Sequence, residues 1–162
     1  MVWELRPKKK ILIIGDSNVG RIPPFSRDDL QIECYPGMKF DHTRRLLERT
    51  GNTNNVAHCI ISVGINNRGQ GTAVTGQKTM AAAVRAAQKT FPTASIHVPL
   101  INYMDNLPQE EKLNLESLNL AISQKNHLPK LNDRDFKTGR DDIHWTPETA
   151  QAMVENWMIS LN

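Results

Sequence analysis

Residues 8–20 read Lys-Lys-Lys-Ile-Leu-Ile-Ile-Gly-Asp-Ser-Asn-Val-Gly, and the rest of the chain is best understood outward from this stretch. Residues 11–14 form a short, unbroken, mostly β-branched apolar run, which is typical of a strand buried on both faces of a parallel sheet. The run ends at small and polar residues that can turn the chain sharply. Because open α/β sheets bind their ligands beyond the carboxyl ends of central strands, Ser17 is the candidate nucleophile.

The Gly-Asp-Ser turn also fits a helix cap or a phosphate-binding loop. An isolated Gly-Asp-Ser more often only caps the next helix, so Ser17 alone does not establish chemistry. A phosphate-binding loop is the second alternative, because Gly15 and Gly20 bracket four residues. Arg21 and Ile22 follow Gly20, so the lysine that grips phosphate and the hydroxyl that binds magnesium are absent. This excludes the phosphate-binding loop.

Length and composition indicate one ordinary domain. The 162 residues, 39% hydrophobic and 23% charged, suffice for a single unit at 1–162 with a basic lead-in at 1–9. No apolar run approaches the roughly 20 residues that span a bilayer, and residues 1–10 lack the apolar core of a signal peptide. We therefore expect an intracellular, cytoplasmic protein. The basic clusters are not interleaved with aromatic residues, so nucleic acid is not expected to bind this domain alone.

Apolar runs and helical spacing alternate along the chain, which predicts an α/β fold with a parallel sheet. The last helix has the clearest signal, because Thr146 suits its N-cap and Pro147 its first turn. Asp41 suits the N-cap of the first helix, and Cys34 and Cys59 are predicted to be buried free thiols. The predicted strands are 11–14, 30–35, 56–63 and 96–100, with no confident fifth strand in 127–140. The predicted helices are 40–50, a segment ending near 90, one starting at 108, and one starting at 147.

A serine nucleophile needs a general base, and His144 is the best candidate among the five histidines. It follows Asp141 by three residues and lies just before the Thr146 cap, with only Trp145 between them, so the carboxylate can fold back onto the imidazole ring. The same spacing alone would also fit a turn or a metal site. A metal site lacks a convincing third ligand, so neither a metal nor a cofactor is expected. The other histidines lie in predicted strands, a helical first turn or a polar loop: His42, His58, His97 and His127.

Acyl transfer also needs hydrogen-bond donors aimed at the developing oxyanion. Gly37 and Gly64 follow predicted strands and can expose backbone N–H groups, and Asn66 can offer its side-chain amide. Each residue also has an ordinary explanation, a turn for the glycines and an Asx-turn for the asparagine. Only their joint occurrence with the serine and histidine motifs indicates chemistry.

Four motifs occur in order along residues 11 to about 160: Gly15-Asp16-Ser17, Gly37, Gly64-x-Asn66 and Asp141-x-x-His144. Their order resembles the four blocks of the SGNH (GDSL-type) hydrolases. The resemblance implies a flavodoxin-like three-layer α/β/α sandwich and a cofactor-free serine esterase. It implies that Ser17 is the nucleophile, His144 the base and Asp141 the residue that orients it. The implied oxyanion hole comprises the Ser17 and Gly37 amides and the Asn66 side chain.

The chain departs from the family's pattern at two positions. Asn18 stands where leucine usually follows the serine, and Asn67 stands where the third block commonly has aspartate, which leaves the role of that carboxylate open. The chain is also short for the family, which suggests an open site for short acyl groups. The expected substrate is therefore a small-molecule or lipid carboxylic ester.

Two segments, 64–70 and 143–150, resemble more narrowly the esterase domain in first open-reading-frame proteins of vertebrate LINE-type retrotransposons. That resemblance implies one domain of a longer protein with self-association and nucleic-acid-binding parts elsewhere. A membrane surface as a partner stays open, as does the oligomeric state. The alternative function is a catalytically weak binding module on the same fold that docks lipid, membrane or nucleic acid.

Overall fold

The computed structural model describes residues 2–69 and 73–161, so Gln70 of segment 64–70 lies outside the described residues. Its centre is a five-stranded parallel sheet. The strands are β1 Ile11–Gly15, β2 Leu30–Cys34, β3 His58–Ser62, β4 Ser95–Pro99 and β5 His127–Leu128. They lie in the order β2-β1-β3-β4-β5 and all neighbours are parallel. This order confirms the predicted flavodoxin-like sheet.

The central strand β1 is buried on both faces because its side chains are apolar and alternate across the sheet. Leu12 and Ile14 pack into a hydrophobic cluster on one face. Ile11 and Ile13 pack into a second cluster on the opposite face. The prediction made from residues 11–14 is therefore confirmed.

Four α-helices cover the two faces of the sheet. They are α1 Phe40–Glu48, α2 Ala73–Thr90, α3 Gln109–Ile122 and α4 Pro147–Ser160. The first three contribute to the cluster around Leu12 and Ile14, whereas α4 contributes to the cluster around Ile11 and Ile13. The predicted α/β/α layering is therefore confirmed. No helix in the described part of the chain has the length and apolarity needed to cross a membrane.

The N-cap of α4 is confirmed at Thr146, whose side-chain oxygen accepts a hydrogen bond from the Thr149 amide at 3.2 Å. The N-cap expected at Asp41 is wrong, because the cap lies two residues earlier, at Lys39, and α1 begins at Phe40. The Lys39 amide donates to Nδ1 of His42 at 3.0 Å, so an imidazole satisfies the start of this helix.

The fifth strand was missed by the sequence analysis. The Val98 amide donates to the Asn126 carbonyl at 3.1 Å, and the Leu100 amide donates to the Leu128 carbonyl at 2.9 Å. A strand of two residues has no alternation to recognise, so only tertiary pairing defines it. Cys59 is buried as predicted, but Cys34 is exposed because it ends an edge strand that is only partly covered.

Candidate active site

The candidate nucleophile lies in the turn that follows β1, at the carboxyl edge of the sheet. Because β2 and β3 flank β1 on opposite sides, this edge is the topological switch point where open α/β sheets bind ligands. Ser17 is half-buried there, directly before a short 3₁₀ helix, Val19–Arg21. Within residues 2–69 and 73–161, the Ser17 hydroxyl makes no hydrogen bond.

The glycine before this turn is required by a close approach. A Cβ at Gly15 would lie 2.4 Å from a methyl carbon of Val19 and 3.0 Å from the Ser62 carbonyl oxygen. The Asp16 amide donates to that same carbonyl at 3.3 Å, which ties the turn to the end of β3. Gly15 therefore lets the chain reverse tightly enough to present Ser17 at the edge of the sheet.

Asp16 is a buried carboxylate beside the candidate nucleophile that the sequence analysis did not single out. Its side chain is only 3% exposed, and Oδ1 accepts a hydrogen bond from the Asn18 amide at 2.9 Å. Burial raises the pKa of Asp16 to about 7, although the Asn18 amide and the charge of His144 both oppose this rise. His144 therefore lies within electrostatic range of the residue that precedes Ser17.

Asp16→Asn is expected to stabilise the fold at neutral and alkaline pH. Because the pKa of Asp16 is higher in the folded state, the wild type loses stability as pH rises from about 4 to about 7. For a pKa shift of this size, the free energy of unfolding falls by at most ~4 kcal/mol over this pH range. Asparagine cannot ionise, yet its Oδ1 can still accept from the Asn18 amide. Urea unfolding of both proteins across this pH range measures the effect, and a difference in unfolding free energy that does not change with pH would contradict it.

The structure brings Asp141 and His144 together in the loop before α4. Oδ2 of Asp141 is hydrogen-bonded to Nδ1 of His144, and Oδ1 accepts from the amides of Ile143 and His144, both at 2.9 Å. Asp142 allows this fold-back by adopting a left-handed conformation with φ 61°. The hydrogen bonds to the ionised carboxylate, first among them that from His144, hold the pKa of Asp141 below its usual range.

Asn18 connects this loop to the turn after β1. Its Oδ1 accepts from the Trp145 amide at 3.0 Å, and its Nδ2 donates to the Ile143 carbonyl at 3.3 Å. Among the described residues, no hydrogen bond joins the Ser17 hydroxyl to the His144 imidazole. Such catalytic hydrogen bonds are often long in an enzyme without substrate. The serine and the histidine are therefore linked here through Asn18.

The candidate oxyanion donors follow the strands on either side of β1. Gly37 comes after β2, where it is exposed and has φ 77°. Asn66 lies in the 3₁₀ helix Gly64–Asn67 after β3, and its Nδ2 donates to the Met38 carbonyl at 3.1 Å. Because the amide nitrogen carries two hydrogens, one is left for a ligand. In the described part of the chain, the backbone amides of Ser17 and Gly37 donate no hydrogen bond.

Two neighbours of these donors serve the local packing. Gly64 is buried, and a Cβ there would lie 2.2 Å from Cδ1 of Ile101, which favours the ordinary turn interpretation for this glycine. The Phe40 amide donates to Oδ1 of Asn67 at 3.2 Å, so the asparagine supplies an acceptor at the start of α1. A carboxylate is not needed for that hydrogen bond, which gives Asn67 a structural explanation.

Solved structures of other proteins share this fold. A candidate platelet activating factor from Streptococcus pneumoniae superposes with a TM-score of 0.76 at 14% identity, over 96% of this chain and 85% of that one. A member of the lipolytic G-D-S-L family from Veillonella parvula gives 0.71 at 14% identity, over 94% and 97%. The psychrotrophic esterase EstA from Pseudoalteromonas sp., inhibited by monoethylphosphonate, gives 0.64 at 17% identity, over 96% and 100%.

The fold is that of the GDSL-type lipolytic enzymes. Identities of this size establish the architecture and leave the activity of this chain to experiment. No protein-family model matches the sequence, and no curated protein matches it.

Two spaces adjoin the site, and they differ in what they can hold. An open depression of about 480 Å³ is lined by His144 and Asp141 together with the arginines Arg21 and Arg140. A smaller and less open cavity of about 30 Å³ is lined by residues that include Asp16 and Trp157. The smaller cavity has room for about two water molecules, whereas His144 lines the larger, open depression.

The side chains of the histidine–aspartate pair remain partly accessible, with His144 39% and Asp141 48% exposed. This accessibility fits proton transfer to a substrate in the open depression. The described residues contain no group of three or more histidine, cysteine, aspartate or glutamate side chains suited to a metal ion. The metal interpretation of the Asp141–His144 spacing therefore finds no third ligand among them.

Proposed function

We propose that this chain hydrolyses carboxylic esters through an acyl-enzyme intermediate on Ser17. The observation that carries the proposal is the engagement of His144 Nδ1 by the Asp141 carboxylate, in a loop that Asn18 joins to the serine turn. With Nδ1 bearing the hydrogen, Nε2 is the nitrogen that can accept a proton from serine. The GDSL lipases and esterases that share the fold support the same reaction class.

In this mechanism Ser17 Oγ attacks the ester carbonyl carbon while His144 takes the hydroxyl proton. The carbonyl oxygen becomes an oxyanion, which the amides of Ser17 and Gly37 and the Asn66 side chain stabilise. Collapse of this intermediate breaks the bond to the alkoxy group, which leaves as an alcohol with the proton from His144. His144 then activates a water molecule that releases the acid from Ser17.

The open depression favours small or extended esters over substrates that need a deep tunnel. Among the described residues, His144 lines this open depression, and the cavity lined by Asp16 measures only about 30 Å³. Short-acyl esters, and lipid esters whose chains can lie along the surface, suit such a site. We therefore propose an acetyl or short-acyl esterase.

Hydrolysis of p-nitrophenyl esters from acetyl to decanoyl tests this function. We expect turnover of the short esters and a decline in kcat/KM as the acyl chain lengthens. A folded wild-type protein that turns over none of them would contradict the proposal.

Asn66→Ala tests the oxyanion hole. If the Asn66 amide binds the oxyanion, its loss should lower kcat by roughly 10²–10³-fold and change KM much less. Asn67→Ala is the matched control, because this neighbour contacts the start of α1. An Asn66→Ala protein with unchanged kcat would remove Asn66 from the mechanism.

The alternative is a binding module on the same fold that docks lipid, membrane or nucleic acid with little turnover. The observation in its favour is that the Ser17 hydroxyl is not hydrogen-bonded to His144 among the described residues. A nucleic-acid ligand would bind with an affinity that falls steeply with salt. Nucleic-acid binding that does not weaken with salt would exclude a nucleic-acid module. Ester turnover would exclude a module that only binds.

We also propose that the chain is the esterase domain of a protein encoded by a LINE-type retrotransposon. The support is the resemblance of segments 64–70 and 143–150, which contain Asn66 and His144. Sequencing of the complete transcript tests the proposal, because a reverse-transcriptase reading frame should follow. A transcript without such a frame would contradict it.

A further inference from the structure

We propose that Asn18 is the positioning residue that holds His144 in register with Ser17, an inference that rests on the proposed esterase function. Asn18 is 2% exposed, and both polar atoms of its side chain are used. The Trp145 amide donates to its Oδ1 and the Ile143 carbonyl accepts from its Nδ2. One side chain therefore holds the main chain on both sides of His144.

The histidine loop, residues 141–146, makes other hydrogen bonds that do not reach the turn after β1. Asp141 orients the imidazole ring, but it belongs to the same loop and cannot fix that loop relative to the serine. The Gly139 amide donates to the His144 carbonyl at 2.8 Å, which again ties the loop to a neighbouring part of the chain. Among the described residues, the two hydrogen bonds of Asn18 are the ones that join segment 141–146 to the turn after β1.

Asn18 is itself firmly anchored on the serine side. It is covalently next to Ser17, its amide donates to Asp16 Oδ1 at 2.9 Å, and its carbonyl accepts from the Arg21 amide at 3.1 Å. A displacement of His144 away from Ser17 would have to break the bonds to Ile143 and Trp145. The separation of the base and the nucleophile is therefore set through this side chain.

This role also explains an asparagine where GDSL-type sequences usually have leucine. Leucine has a similar size but cannot donate or accept a hydrogen bond, so it would leave the main chain of the histidine loop unpaired at a buried position. Trp145 is buried and packs edge-to-face on Trp157 with ring centroids 6.2 Å apart, so water cannot readily replace the lost partner. The polar side chain is therefore part of how this chain places its base.

The test compares Asn18→Leu with Asn119→Leu, a matched control. Asn119 makes the same kind of clamp elsewhere, accepting from the Ile101 amide at 2.7 Å and donating to the Ile101 carbonyl at 3.0 Å. For each variant we would measure kcat and KM, the rate of Ser17 labelling by a phosphonate, the melting temperature, and amide hydrogen exchange in 141–146. Asn18→Ala is a second variant, which removes both hydrogen bonds without placing a larger apolar side chain there.

We expect Asn18→Leu to lower kcat and the labelling rate by about 10- to 100-fold, because a base displaced by about 1 Å costs this much. KM should change less than about threefold, and exchange in 141–146 should accelerate. Asn119→Leu should lower the melting temperature while leaving kcat and this exchange near wild type. Asn18→Ala should show losses of similar size, and it carries the test if Asn18→Leu does not fold.

The outcomes separate this inference from the proposed function. If wild type is active and the Asn18 variants keep its kcat and exchange pattern, the positioning role is wrong while the esterase stands. If wild type neither turns over esters nor reacts with the phosphonate, the esterase is wrong and the catalytic role of Asn18 falls with it. Faster amide hydrogen exchange in the variants would then show only that Asn18 holds residues 141–146 in place.

Discussion

Replacing Ser17 with alanine is expected to lower kcat for a short p-nitrophenyl ester by a factor on the order of 10⁶. Alanine removes the only atom that forms the acyl-enzyme in the proposed mechanism, so His144 and the oxyanion donors lose the group on which they act. The half-buried hydroxyl makes no hydrogen bond among the described residues, so its removal should leave the fold intact. Steady-state kinetics and a thermal melt of both proteins measure the two effects.

The control for this experiment is Ser26→Ala, which removes an exposed hydroxyl from the loop before β2. It should keep both the activity and the melting temperature of wild type. Ester turnover in a folded Ser17→Ala protein within about tenfold of wild type would show that Ser17 is not the nucleophile.

Asp141→Asn is expected to lower kcat by about 10⁴-fold, the loss typical when the aspartate of a serine triad becomes an amide. The Oδ1 atom can still accept from the Ile143 and His144 amides, so the loop should keep its shape. The side-chain NH₂ would instead face Nδ1 and favour the imidazole tautomer that carries its hydrogen on Nε2. That tautomer cannot take the Ser17 proton.

Asp142→Asn is the matched control because Asp142 is the adjacent carboxylate and makes no hydrogen bond to His144. Asparagine tolerates the left-handed backbone at this position, so the loop should be preserved. We expect little change in kcat for Asp142→Asn. Equal losses for Asp141→Asn and Asp142→Asn would mean that general negative charge, and not the bond to Nδ1, supports the histidine.

The parts of the fold that the sequence predicted well are those with strong local signals. The unbroken apolar run at 11–14 predicts a strand buried on both faces. Thr146 followed by Pro147 is a typical start of a helix, and α4 begins there. The strand β5 could not be predicted because two residues carry no periodicity and are held by pairing with β4. The start of α1 could not be predicted either, because it depends on the His42 imidazole accepting a hydrogen bond from the amide of the N-cap residue, Lys39.

The candidate site shows the same division. Ser17, His144 and Asp141 could be proposed from short motifs, because each chemical group lies next to a recognisable turn or cap. The burial of Asp16 and the contacts of Asn18 could not be predicted, because the Trp145 amide that donates to Asn18 lies 127 residues away in the sequence. No local pattern reports such a contact.

Covalent labelling by an active-site phosphonate, followed by mass spectrometry of the peptide that contains Ser17, shows whether this serine is the nucleophile. An activated serine forms a stable phosphonyl adduct, and a phosphonate-inhibited structure exists for the esterase EstA, which shares the fold. We expect one adduct per chain on Ser17 in wild type and none in Ser17→Ala. A wild-type protein that stays unlabelled, or an adduct that persists in Ser17→Ala, would contradict this expectation.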